Sequence, residues 1–77
     1  MTKYEELLVN EYKITWINYQ KAKNNYMFAK QGLKPDYVKE PVELLQCIKK
    51  HKAYECVLYE KRLKLYGINP EEVRKGL

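Results

Sequence analysis

The sequence predicts an all-α fold: an antiparallel hairpin of two long helices followed by a short C-terminal helical turn. Three observations carry that expectation. Neither glycine nor proline occurs between Met1 and Gln31, or between Val42 and Tyr66. The breakers gather in "GLKPDYVKEP" and at "GINPEE", where they interrupt helical hydrogen bonding. Between the breakers, apolar side chains recur at helical spacing.

The first helix is expected over about residues 2–31. Tyr12, Tyr19, Tyr26 and Leu33 recur every seven residues, and Leu8, Thr15, Ala22 and Ala29 interleave with them at the same period. Large rings alternating with small side chains form one seam, along which a second helix approaches closely.

The connection, residues 32–41, is short enough to make the two helices antiparallel neighbours. The second helix is expected over about 42–66, beginning after Pro41 with Glu43 in its first turn and stopped by Gly67. Its seam reads Leu44, Ile48, His51, Glu55, Leu58, Arg62 and Leu65. Folding at Gly32–Pro41 then sets Tyr26 near Ile48, Ala22 near His51, Tyr19 near Glu55, Thr15 near Leu58 and Tyr12 near Arg62. The tail, about 70–75, carries its own start signal. Asn69 caps, Pro70 suits the first helical position, and Glu71 and Glu72 favour the positive helix end.

Seventy-seven residues make one small domain with a modest core, the size at which a partner subunit often supplies the rest. Leu7, Ile14, Ile17 and Phe28 line a second stripe of helix 1, with Trp16 and Met27 on a flank. In helix 2, Leu45, Tyr59, Leu63 and Tyr66 widen the apolar arc. A lone hairpin has no second layer for this surface. The sequence therefore predicts a homodimer completing a four-helix bundle, or a docking face for another protein.

Composition excludes several classes. The chain has two cysteines, Cys47 and Cys56. On one helix that spacing puts them about 13 Å apart along the axis, too far to bridge. With no CxxC pair and no His/Cys cluster, neither a disulfide framework nor a zinc site is expected. The thiols fit a reducing compartment, and no apolar run or signal-like N-terminus is present, so a cytoplasmic protein without membrane association is expected. The net charge of +5 permits nucleic acid or an acidic partner without demanding either, and disfavours DNA mimicry by an acidic surface.

Three sets of residues invite a functional reading. His51, Glu55 and Arg62 face Tyr12 and Tyr19 in the expected register. They read as a buried polar layer that fixes register, with an anion pocket as the functional alternative. One histidine without an adjacent nucleophile or glycine-rich loop argues against an enzyme, and no cofactor is expected. Lys49, Lys50, Lys61 and Lys64 read as a solvated face of helix 2 and, alternatively, as a nucleic-acid contact. Ile14, Trp16, Ile17 and Phe28 are the expected partner-binding residues, since aromatic anchors dominate protein interfaces, with core or dimer packing the competing role for Trp16. Tyr37 in the connection is expected to cover the end of the hairpin. The combined expectation is a small non-enzymatic accessory or regulatory protein, of bacterial, phage or mobile-element type. It self-associates and binds another protein, as an inhibitor or modulator of a larger machine.

Overall fold

A computed structural model describes all residues from Met1 to Leu77. The chain is all-helical: α1 (Lys3–Lys30), α2 (Val42–Leu65) and α3 (Pro70–Arg74). The two long helices pack against each other, and α3 touches both at the open end of the hairpin. The result is a rod of 44 × 21 × 17 Å.

Local chemistry explains each boundary. Thr2 caps α1, its side-chain oxygen accepting from the Glu5 amide at 3.2 Å. At the other end Gly32 adopts φ +76°, and the Gly32 and Leu33 amides donate to the Ala29 and Phe28 carbonyls. The same Schellman closure recurs at Gly67, with φ +73°, where the amides of Gly67 and Ile68 reach Lys64 and Leu63. A left-handed residue is needed at both places, and glycine takes it without a Cβ penalty. Asn69 caps α3 through its side-chain oxygen, 3.0 Å from the Glu71 amide, as the sequence predicts.

The seam of α1 matches expectation over most of its length. Leu8, Tyr12, Thr15, Ala22 and Ala29 are buried, and Tyr19 and Tyr26 are half-buried beside them. Leu33 lies beyond the helix and is exposed.

The seam of α2 is a correction. Its buried residues are Leu45, Cys56 and Leu63, with Tyr59 packed against the same core. Leu44, His51, Leu58, Arg62 and Leu65 instead face solvent. Tyr12 meets Glu60, not Arg62, and Thr15 meets Cys56, not Leu58. Each displacement is two residues. The buried row stands one residue from the expected one, about 100° around the helix, so Ile48 and Glu55 stay half-buried while the rest of the expected seam turns outward. The physical reason is desolvation. The expected seam would bury His51, Glu55 and Arg62, whereas the observed one leaves His51 and Arg62 in solvent and half-covers Lys49, Lys52, Glu55 and Glu60, each able to meet a partner or water.

Two small cores result. Leu8, Tyr12, Cys56 and Leu63 form one, joined by Val9, Trp16, Tyr19 and Tyr59 from the hairpin and by Ile68 and Val73 from the tail. Ala29, Val38 and Leu45 form the other at the closed end. Val38, not Tyr37, anchors the connection; the Tyr37 ring stands in solvent.

Candidate functional site

A polar layer exists, built from residues other than those expected. Tyr12 is fully buried, and its hydroxyl donates to Glu60 Oε2 at 2.7 Å. Arg74, the last residue of α3, donates one Nη1 to both partners, at 3.0 Å to the Tyr12 oxygen and 3.0 Å to the Glu60 carboxylate. The guanidinium also lies over the Trp16 ring, 4.8 Å from its centroid. One cation thus clasps the tail onto the hairpin through a charge-assisted triangle and an aromatic face. No buried side-chain polar atom lacks a partner. The outer edges of Arg74 and Glu60 remain about a quarter exposed and border a small cleft of about 110 Å³ beside Lys64, Asn69 and Glu71.

Sequence reasoning missed this layer. The recoverable signal was Arg74: apart from Arg62 it is the only arginine, placed on a capped turn short enough to fold back. His51 and Glu55 do interact, at 2.9 Å, as their spacing predicts, but at the surface. Arg62 sits 5.7 Å from the Tyr59 ring centroid, and Tyr59 donates to Glu11 at 2.9 Å. The expected anion pocket of Tyr12, Tyr19, His51, Glu55 and Arg62 is therefore not assembled.

Burial and this network move two acids. Burial, with the neighbouring Glu60 and Glu55, pushes the Cys56 thiol from 9.0 to about 11. Burial, then the hydrogen bond to Glu60, pushes the Tyr12 phenol from 10.0 to about 12, against the opposing influence of Arg74. Cys56 is thereby a packing residue with little thiolate at neutral pH. Stability follows by linkage. Below the ordinary values both groups are protonated in either state. As pH rises through them the unfolded chain releases protons that the folded chain still holds, so stability falls. The urea midpoint is expected to drop steadily from about pH 9 to about pH 12, at on the order of 2 kcal/mol for each group. A flat midpoint across that window would show that neither group is held in its neutral form by the fold.

What remains free is apolar and lies on two opposed sides. On the outer side of α1, Leu7, Ile14, Ile17 and Phe28 are exposed, interleaved with the exposed Asn10, Asn18, Lys21 and Asn24. Toward the closed end this stripe runs into an open groove of about 380 Å³, lined by Lys21, Asn24, Asn25, Phe28 and Tyr37. On the outer side of α2, Leu44, Tyr54, Val57, Leu58 and Leu65 are exposed. Trp16 belongs to neither face. It is half-buried among Tyr12, Tyr19 and Arg74, which corrects its assignment as a partner-binding residue. Lys50, Lys61 and Lys64 are exposed as expected, but Lys49 turns inward, its ammonium 4.5 Å from the Tyr26 ring centroid.

No group of three histidine, cysteine, aspartate or glutamate side chains is placed to hold a metal ion. No helix is long and apolar enough to cross a membrane. Comparisons with protein-family models, curated proteins and solved structures find no match to this chain.

Proposed function

We propose that this chain is a small non-enzymatic regulatory protein that self-associates and binds another protein through the outer face of α1. One observation carries the reading: Ile14, Ile17 and Phe28 are exposed along one line of a long helix and lead into the groove beside Tyr37. Large apolar side chains aligned on an exposed helix face mark interaction surfaces. The occupant that fits is an amphipathic helix. Its apolar stripe would lie along Leu7, Ile14 and Ile17, and one apolar side chain would enter the groove between Phe28 and Tyr37. Hydrogen-bonding groups would meet Asn24 and Asn25, and a carboxylate would meet Lys21. The net charge of +5 favours an acidic partner of this kind. Inhibition or modulation of a larger machine is the role such a small binding module suits.

The test is capture from a cell extract followed by measured affinity for the partner recovered. Replacing Ile17 with Glu, or Phe28 with Ala, is expected to weaken that affinity at least tenfold, about 1.4 kcal/mol. Wild-type affinity is expected to fall only modestly with salt, by the share that Lys21 and the net charge contribute. Unchanged affinity in both variants would overturn the proposal. A steep linear loss of binding with salt, for a nucleic acid held by Lys50, Lys61 and Lys64, would favour phosphate contact instead.

A further inference from the structure

The outer face of α2 has an order that its exposure alone does not convey. Leu44, Cys47, His51, Tyr54, Leu58, Lys61 and Leu65 follow one another at spacings of three and four residues. All seven are exposed, and Leu65 keeps 83 % of its surface. This is the a/d seam of a short coiled coil, with Leu44, His51, Leu58 and Leu65 at a and Cys47, Tyr54 and Lys61 at d. It lies nearly opposite the buried stripe of Leu45, Cys56 and Leu63, so nothing in the hairpin covers it. The row from Leu44 to Leu65 is about 33 Å long, the length of roughly three heptads.

We infer that this row pairs with the same row of a second copy, antiparallel, about a two-fold axis between Lys52 and Ala53. This deepens the self-association named in the proposed function and does not depend on the face of α1. Charge selects the direction. In a parallel pair a residues face a and d residues face d, which would stack His51 on His51 and Lys61 on Lys61. In an antiparallel pair, a faces d. Pairing a with d sets Leu58 against Cys47 of the second copy, His51 against Tyr54, and Leu44 against the aliphatic stem of Lys61, and leaves Leu65 just beyond the paired stretch. The flanking Glu43 then faces Lys64 of the second copy, and the two-fold axis makes that attraction occur twice. Glu55 flanks Ile48 of the second copy, and its charge is already held by His51 at 2.9 Å and Lys52 at 3.7 Å within its own chain.

The assembly differs from the four-helix bundle expected from sequence. It is an open row, α1–α2–α2–α1, whose two α1 faces point away from each other. A dimer of this form presents two docking faces, so a partner with two sites is held far more tightly than by a single copy.

Sedimentation equilibrium on the full chain, joined to disulfide trapping, tests the inference. The wild type is expected to move from 9.3 kDa toward twice that mass as concentration rises. Leu58→Glu is expected to stay monomeric with unchanged helicity, and Tyr54→Glu, at the centre of the paired row, serves as a second variant should the first fail to fold. Ile17→Glu is expected to dimerise like the wild type. Under mild oxidation, Leu58→Cys is expected to form a covalent dimer through Cys47. The wild type is expected not to, because its paired Cys47 residues lie about 16 Å apart along the axis. A wild-type Cys47 disulfide forming as fast as the Leu58→Cys link would show a parallel pair and overturn the geometry. A dimer insensitive to both glutamate variants, or abolished by Ile17→Glu, would remove α2 from the interface while leaving self-association intact. A constant 9.3 kDa at every concentration would overturn both.

Discussion

Leu63→Ala is expected to lower the unfolding free energy by about 3 kcal/mol, the usual scale for truncating a fully enclosed leucine. Leu63 has no exposed surface and is the point where all three helices meet, packing with Leu8, Tyr12 and Cys56 and against Ile68 and Val73. A chain this small commands about 5 kcal/mol in total by the ordinary per-residue scale, near the low end for domains, so the variant should populate the unfolded state measurably. Urea unfolding followed by helical circular dichroism provides the number. Leu65→Ala, two residues along, removes the same methyl groups from an exposed position and in dilute solution should change stability by less than about 0.5 kcal/mol. Equal losses in the two variants would mean that α2 is turned the wrong way.

Glu60→Ala is expected to cost about 2 kcal/mol, for a different reason. It removes the acceptor of the Tyr12 hydroxyl and the counter-charge of Arg74 together. A buried donor left without a partner bears the desolvation cost directly. The Glu60–Arg74 pair is about three-quarters covered, so part of its charge is still screened by water. Arg74→Ala releases the other corner of the triangle and uncovers Trp16, whose fluorescence should shift to longer wavelength. The double variant should lose less than the sum of the singles by about 1 kcal/mol, the signature of residues in direct contact. Strict additivity would mean the triangle is not a coupled unit.

How far the sequence revealed this molecule depended on which signals competed. The helix limits were legible because Gly32, Gly67 and the Asn69–Pro70 pair each have a local cause that nothing distant overrides. The seam of α1 was legible because rings and small side chains alternate along one line only. On α2 two apolar rows, Leu45–Leu63 and Leu44–Leu65, run one residue apart with similar hydrophobic weight, and periodicity has no means of ranking them. Solvation ranks them, through His51 and Arg62, and so does the tail, which delivers Ile68, Val73 and Arg74 to the Leu63 side. The candidate surfaces followed the same logic. Ile14, Ile17 and Phe28 were read correctly as excess apolar surface, since the α1 seam was right. For Trp16 the sequence left core packing and partner binding side by side, because its cover comes from Arg74, a residue with no periodic relation to it.

The orientation of α2 underlies both the clasp and the free face, and its two thiols report on it directly. In dilute, non-denaturing buffer a small thiol reagent should modify Cys47, which is exposed, and leave Cys56 unmodified, each assigned by peptide mass. Cys56 should react only as rapidly as the chain unfolds, and Cys47 should become slower to react as concentration drives pairing. Comparable labelling of Cys56 and Cys47 in the folded protein would contradict the account, because it would place the Cys56 row on the outside of the hairpin.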